Sequence, residues 1–198
     1  MSKKPPLQNQ GFKWWEHVTE IWAVATNIYI EGTFPNGVQY DMASAIQLMH
    51  NMMVAHAKAV IAYKEAGYEG KIGIVHSLES KYPYDKTKDE DVKAAKNEDV
   101  LNNQFLLDAT FLGKYRDETM EIINRLVELN NGSFHASKDD MEILKEAAYW
   151  YHKSAEQGSE AGTHHLAQFY KLTEQYKMAV KWYRKYAAFR IKQRRECL

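Results

Sequence analysis

One acidic residue inside an apolar run is the strongest candidate for chemistry in this sequence. The stretch "WEHVTEIW" places Glu20 beside tryptophan, valine and isoleucine residues. A carboxylic acid that is buried among such side chains favours its protonated form, which suits it to donate a proton as a general acid. The same pattern also fits an ordinary strand glutamate that points to solvent. The residues themselves leave both interpretations open.

Histidine and cysteine give weaker signals. His50 and His56 are six residues apart, and His164 and His165 are adjacent. No histidine pair therefore has the i, i+4 spacing of a helical zinc site, and we predict neither a metal site nor a cofactor. Cys197 is the only cysteine, which excludes a disulfide within one chain and does not indicate thiol catalysis.

The composition is typical of a globular protein. The 198 residues are 45% hydrophobic and 26% charged, and 26 basic residues balance 26 acidic ones. Such a chain is long enough to bury a core, and no apolar run approaches the roughly 18 residues of a membrane span. The opening "MSKKPPLQNQ" lacks the apolar centre of a signal peptide. We expect a cytoplasmic protein that does not bind membranes.

The elements that must position Glu20 are mostly helical. Asp41 is placed to cap a helix that ends before "GYEG", and helical spacing continues over 89–115 and 117–129. Ser137 begins a long final helical region, and Asp140 three residues later completes the pattern of a capping box.

Two segments have the pattern of strands, at about 17–22 and 71–78. The second, "KIGIVHSL", is a short β-branched run with glycine on one side and "KYPYD" on the other, as expected of a buried strand. A helix followed by a tight turn and a buried strand is half of an α/β unit. The predicted fold class is therefore α/β and predominantly helical.

Six segments carry a resemblance to a known family: "EIW", "IEGTFPNGVQYD", "HNMMVAHAKAV", "GYEGKIGIVHSLESKYPYD", "DVKAAKNEDVLNNQFLLDATFLGKY" and "ETMEIINRLVE". In this order, across about 12–147, they resemble glycoside hydrolase family 1 and most closely its 6-phospho-β-galactosidase branch. The resemblance implies a partial (β/α)₈ barrel that runs from the fourth strand to just before the sixth. It also implies β-glycosides, plain or 6-phosphorylated, as substrates.

The resemblance assigns a role to Glu20. In the family the fourth strand ends in Thr-Phe-Asn-Glu, whose glutamate is the general acid/base, and residues 17–20 are His-Val-Thr-Glu. Thr19 thus replaces the asparagine that hydrogen-bonds the sugar. His76 is a further candidate for substrate binding because strand ends in barrels face the site, and Trp22 is another because its ring can stack on a sugar. Their alternatives are a packing tryptophan and a buried histidine with a satisfied hydrogen bond.

The resemblance also shows what the 198 residues do not contain. A retaining glycosidase needs a second carboxylate about 5 Å from the first, as its nucleophile. The family carries that carboxylate in an Ile-Thr-Glu-Asn-Gly-like motif, which does not occur in this sequence. A closed barrel takes about 250 residues and eight strands, whereas two are predicted here. We expect the chain to be inactive alone, unless a second chain completes the barrel.

The C-terminal part carries a second resemblance. The stretch "AAYWYHKSAEQGSEAGTHHLAQFYKLTEQYKMAVKWYRKYA" is similar to a Sel-like repeat, a relative of the tetratricopeptide repeat. Its pairs Trp150-Tyr151 and Trp182-Tyr183 lie 32 residues apart, near the tetratricopeptide period. The resemblance implies about one and a half repeats folded as a helical hairpin. Because roughly three repeats make a free-standing solenoid, we expect this part to pack against the preceding region or a protein partner.

We predict three parts: a flexible N-terminus over 1–11, the barrel fragment over 12–146, and the helical repeat with a basic tail over 147–198. From Lys177 onward the tail has eight basic residues and one acidic residue. It suits an acidic partner, but no nucleic-acid motif accompanies it, so we do not expect nucleic-acid binding. Three functions stay open: a β-glycosidase lineage centred on Glu20, a helical protein-interaction module, and a chimeric or truncated chain with no selected activity.

Overall fold

The computed structural model describes residues 14–35, 37–68 and 70–196, so the N-terminus predicted to be flexible lies outside it. Most of these residues are helical, as predicted. In chain order the elements are β1 (Trp14–Thr19), α1 (Ile21–Tyr29), α2 (Met42–Glu65), β2 (Lys71–Val75), α3 (Asp89–Asp99), π1 (Val100–Gln104), α4 (Phe105–Leu107), π2 (Asp108–Leu112), α5 (Asp117–Leu129), α6 (Lys138–Glu156), α7 (Glu160–Leu172) and α8 (Tyr176–Glu196).

The two strands pair with each other in parallel. Trp14 lies opposite Lys71 and Thr19 opposite Val75, with one irregularity in register between Glu16 and Val18. The crossover between them passes through α1 and α2, as a parallel connection requires. Two strands were predicted and two are present in the described residues, and together they form a sheet.

The strand bounds differ from the prediction. β1 begins before residue 17 and ends at Thr19 rather than 22, because Glu20 turns the backbone and α1 starts at Ile21. The predicted strand over 71–78 ends at Val75. Helix α1 was not predicted, since "EIWAVATNIY" follows a strand-like run and has no side-chain cap at its start.

Both predicted helix starts are confirmed. The Asp41 carboxylate accepts a hydrogen bond from the Ser44 N–H at 2.9 Å and caps α2. At α6, Ser137 Oγ accepts from the Asp140 N–H at 3.1 Å, while the Asp140 carboxylate accepts from the Ser137 N–H at 2.9 Å. These reciprocal bonds are the capping box, and they fix where α6 begins.

The helix predicted over 89–115 ends at Leu112, where Gly113 turns the backbone, and it is irregular because the π-helical turns π1 and π2 flank the short α4. Its side chains enter two separate apolar cores. The larger core contains Phe105 and Leu106 with residues of α1, α2, β2, α5 and α6. The smaller core contains Leu107, Phe111, Ala155, Leu166, Ala167, Phe169 and Trp182.

Helices α7 and α8 form an antiparallel hairpin that packs on α6. Arg190 near the end of α8 pairs with Glu160 at the start of α7 at 2.7 Å, and the His164 ring lies 4.9 Å from the Tyr186 ring. Helix α6 runs without interruption through the predicted domain boundary at 146/147. Within the described ranges, no helix is both long and apolar enough to span a membrane.

Candidate functional site

The carboxyl ends of β1 and β2 lie side by side and bring two predicted site residues to one edge of the sheet. Glu20 directly follows β1 and His76 directly follows β2. The Glu20 N–H donates to the Val75 carbonyl at 3.3 Å, which ties the two strand ends together. Active sites of (β/α)₈ barrels lie at this end of the strands.

Glu20 has a left-handed backbone, with φ 54° and ψ 46°. Its carbonyl accepts from the Val24 N–H at 3.0 Å and so begins α1, but its side chain makes no capping hydrogen bond. The side chain is exposed, so the expectation of a buried acid is wrong. The physical reason is that the chain turns at Glu20 at the rim of the sheet, outside both cores. Left-handed non-glycine residues are strained and cluster at functional sites.

His76 is anchored to the helices. Its Nε2 lies 2.8 Å from Thr110 Oγ, whose hydroxyl also lies 2.9 Å from the Leu106 carbonyl. If the hydroxyl donates to that carbonyl, Nε2–H of His76 donates to Thr110. Burial, then the charges of His56 and His165, lower the pKa of His76 to about 3. The ring is therefore neutral near pH 7, which favours the interpretation as a hydrogen-bonded interior histidine.

The other two candidates have different surroundings. The backbone of Thr19 ends β1 opposite Val75, while its side chain lies outside what the structure describes. Trp22, in the first turn of α1, is half-buried and packs against the larger core. This packing favours the structural interpretation of Trp22. A substrate-binding role for Thr19 or Trp22 stays a prediction.

The sequence did not reveal how the loop after β2 is held. The Asn103 side chain on π1 accepts from the Glu79 N–H at 3.2 Å and donates to the Glu79 carbonyl and to Asp99, each at 2.6 Å. Lys81 bridges Glu79 and Glu98, each at 2.8 Å. These bonds fix the loop that leaves the strand end. No local pattern predicts the contacts that join the loop to the helix, because Asn103 is 24 residues from Glu79 and Lys81 is 17 residues from Glu98.

A second carboxylate, Asp108, is buried but fully occupied. It accepts from Arg116 Nε at 2.8 Å, from the Arg116 N–H at 3.1 Å and from Thr119 Oγ at 2.7 Å. Burial raises the pKa of Asp108, and its bonds to Thr119 and Arg116 act in the opposite direction. Because both oxygens hold α5 against π2, we assign Asp108 a structural role.

The described side chains include no group of three or more histidine, cysteine or acidic residues that could hold a metal ion. Among the described residues directly after the strands, Glu20 is the exposed carboxylate that could do chemistry. Such a group can donate or accept a proton. A displacement reaction needs a further nucleophile at the same edge.

Comparisons with known proteins identify the family of the chain. The profile of glycosyl hydrolase family 1 matches residues 8–190. The 6-phospho-β-galactosidase of Staphylococcus haemolyticus is 47% identical over 134 residues, which are 68% of this chain and 29% of that protein. The Staphylococcus epidermidis enzyme of the same name is 47% identical over 135 residues, with the same shares.

The fold has solved counterparts. A β-glucosidase from Exiguobacterium marinum superposes with a TM-score of 0.60 at 27% identity, over 69% of this chain and 30% of that one. The chain thus spans about three tenths of the length of the proteins that it matches. The matched structures are (β/α)₈-barrel enzymes by family, so the described fold corresponds to part of such a barrel.

Proposed function

The chain belongs to glycosyl hydrolase family 1, and on that premise we propose that it carries the acid/base part of a retaining β-glycosidase site, with Glu20 as the general acid/base. The names of its relatives favour 6-phospho-β-galactosides as the substrate class, with plain β-glycosides as the alternative. In this role Glu20 protonates the departing glycosidic oxygen and later removes a proton from the attacking water.

One observation carries the proposal: Glu20 has an exposed carboxylate at the carboxyl end of a barrel-type strand pair. Its side chain is exposed and does not cap α1, although its backbone occupies the cap position. Asp108 shows the opposite arrangement, since three donors hold its oxygens. A carboxylate that makes no capping bond is available to a sugar.

We propose further that the chain alone does not complete a catalytic cycle. The retaining mechanism requires a carboxylate about 5 Å from the acid, which attacks the anomeric carbon as the glycosidic bond breaks. The family motif that would supply this nucleophile does not occur in the 198 residues. Turnover would need a nucleophile that reaches the strand ends from outside these 198 residues.

The first test is hydrolysis of nitrophenyl β-galactoside 6-phosphate and of its unphosphorylated counterpart. We compare the purified chain with Glu20→Gln and with a control variant, Glu31→Gln. Glu31 is an exposed glutamate after α1. We expect no nitrophenol release above buffer from any of them. Release that is lost only in Glu20→Gln would contradict inactivity of the chain alone, and release that Glu20→Gln leaves unchanged would contradict the role of Glu20.

A binding measurement tests Glu20 without turnover. The probe is the non-hydrolysable thioglycoside of the same 6-phosphate, titrated by calorimetry. Because a hydrogen bond to a charged group contributes about 1.5–3 kcal/mol, Glu20→Gln should weaken binding about 10-fold or more. Glu31→Gln should bind like the unmodified chain. Equal affinity in Glu20→Gln would remove Glu20 from the site.

A second function is favoured by the surface of the α7–α8 hairpin, for which we propose an acidic protein partner. Val180 and Ile191 on α8 are 48% and 54% exposed. Lys181 and Arg184 are exposed on the same helix, which begins the basic tail. An exposed apolar and cationic helix is a common recognition surface for an acidic protein. The resemblance of residues 147–190 to a Sel-like repeat supports the same proposal, because it implies a helical module that binds a protein partner.

Poly-L-glutamate serves as the probe for this surface. We expect binding at low salt that falls steeply as ionic strength rises, and that falls further in the double variant Lys181→Glu/Arg184→Glu. A double variant in α3, Lys93→Glu/Lys96→Glu, controls for net charge. If both double variants lose binding equally, the attraction is unspecific and the interaction proposal is wrong.

A further inference from the structure

A cavity of about 580 Å³ lies at the amino end of β2, the opposite end from Glu20. It opens between the barrel-derived part and the C-terminal helices. Lys64 and Ile72 contribute from the first, and Trp150, Lys153 and Phe189 from the second. Its volume falls in the range of about 300–1,000 Å³ that is typical of small-molecule sites.

Two ammonium groups of the cavity lining have aromatic rather than acidic neighbours. Lys153 Nζ lies 4.6 Å from the ring centroid of Trp150 and 5.5 Å from that of Tyr149. Lys64 Nζ lies 5.7 Å from the ring centroid of Tyr63. Across the described ranges, neither lysine forms an ion pair with a carboxylate. Both positive charges are therefore available to an anionic ligand.

The start of α7 adds positive potential to the same wall. Ser159, which lines the cavity, is the N-cap of this 13-residue helix and accepts from the Gly162 N–H at 3.2 Å. The amino end of a helix carries partial positive charge and favours anions. The acid nearest this end, Glu160, pairs with Arg190 at 2.7 Å, which offsets its negative charge.

The remaining lining combines aromatic and aliphatic side chains with the polar Ser154 and Gln157. Ile72, Trp150, Tyr151 and Phe189 are half-buried around the cavity, and aromatic walls favour planar rings. We propose that this cavity binds a small organic anion, a phosphate or carboxylate carried on a planar ring, with Lys64 and Lys153 facing the anion. The site goes beyond the glycosidase proposal, because it uses neither Glu20 nor the carboxyl ends of the strands.

The test uses 1-naphthyl phosphate, titrated into the full chain by isothermal calorimetry. We expect saturable binding of 1-naphthyl phosphate. 1-Naphthol, which lacks the phosphate group, and inorganic phosphate, which lacks the ring, should each bind at least 10-fold more weakly. Titration of 1-naphthoate shows whether the anion is preferred as phosphate or as carboxylate. If neither naphthyl anion binds at millimolar concentration, the proposal is wrong.

Variants locate the site. The double variant Lys64→Met/Lys153→Met keeps the aliphatic stems and should weaken naphthyl anion binding at least 10-fold. Lys58→Met, on an exposed part of the same helix α2 and outside the cavity lining, should leave it unchanged. If the double variant folds poorly, Lys153→Arg serves in its place. It keeps the positive charge and should therefore retain binding of the naphthyl anion. Undiminished binding by a folded double variant would overturn the assignment.

Discussion

The two apolar cores differ in how many elements depend on them. The larger core joins β2 to α1, α2, π1, α4, π2, α5 and α6, so β2 is packed against helices from most of the described chain. The smaller core joins the α7–α8 hairpin to π2 and α6. The part that carries Glu20 therefore has an apolar core of its own. The hairpin that forms one wall of the cavity is held by a core with fewer buried residues.

One irregular helix connects the two cores. Phe105 and Leu106 on α4 enter the larger core, whereas Leu107 and Phe111 enter the smaller one. π-helical turns are rare and occur frequently at functional sites. Here they flank α4 and carry Asp108 and Asn103, the two side chains that hold α5 and the loop after β2.

Removing a large aromatic side chain from each core should separate their roles. Phe105→Ala and Phe169→Ala each delete a fully buried ring and should cost about 3–5 kcal/mol of local stability. Phe105→Ala should weaken amide protection throughout the barrel-derived helices, and Phe169→Ala mainly in α7 and α8. Hydrogen exchange measures both patterns, with Tyr84→Ala, at a 99% exposed residue, as the control.

A single cooperative unit would contradict this comparison. In that case Phe169→Ala would reduce protection in α2 as much as in α7. Equal loss in both helices would show that the hairpin and the barrel-derived part unfold together.

The buried carboxylate Asp108 is the next test, because it belongs to the connecting helix. Asp108→Asn removes the charge that Arg116 pairs with and leaves fewer acceptors for three donors, so we expect a loss of about 1–3 kcal/mol in the free energy of unfolding. Urea denaturation measures it. Asp117→Asn, an exposed acid at the start of α5, should change stability by about 0.5 kcal/mol or less. A similarly small change in Asp108→Asn would mean that the hydrogen bonds of Asp108 contribute little to the free energy of unfolding.

The helix starts were predictable because capping is local. Asp41 and Ser137 sit directly before their helices, and their partners lie three residues away. The position of Glu20 at a strand end was also predictable, but its exposure was not. Exposure depends on where the chain turns relative to cores that form from distant segments. The bonds of Asn103 and Asp108 were unpredictable for the same reason.

Acid should lower the free energy of unfolding through His76, which contacts Thr110 on the helix that connects the two cores. Its pKa is about 3 in the folded chain and near 6.5 when unfolded, so the unfolded state binds more protons below pH 6.5. The stabilisation is complete above pH 6.5 and falls as the pH drops, by about 1.4 kcal/mol per pH unit for this one group. The buried His50, whose pKa is also lowered, acts in the same direction.

Urea denaturation between pH 7 and pH 5 measures this slope. In His76→Gln the side-chain amide can still reach Thr110 but does not titrate, so the slope should decrease by about one proton's contribution. His135→Gln, at an exposed histidine whose charge is the smallest of the influences on the pKa of His50, is the control and should change the slope less than His76→Gln. An unchanged slope in His76→Gln would assign the acid sensitivity to other groups.

The smallest expected effect concerns the backbone at Glu20. Glu174, after α7, is also an exposed glutamate with positive φ, 57° against 54° for Glu20. Glycine has no Cβ penalty in this conformation, so Glu20→Gly and Glu174→Gly should each stabilise the chain by up to about 1 kcal/mol in urea denaturation. The shared geometry means that backbone strain alone does not mark Glu20 as a site residue.

A binding measurement is therefore needed to distinguish Glu20 from Glu174. We expect Glu20→Gly to weaken thioglycoside binding and Glu174→Gly to leave it unchanged, because only Glu20 lies at the carboxyl ends of the strands. A residue that stabilises the fold when replaced, yet weakens binding, is typical of a position kept for activity. If Glu20→Gly destabilises the chain instead, the side chain of Glu20 makes a stabilising contact, and its conformation is explained by folding rather than by a sugar.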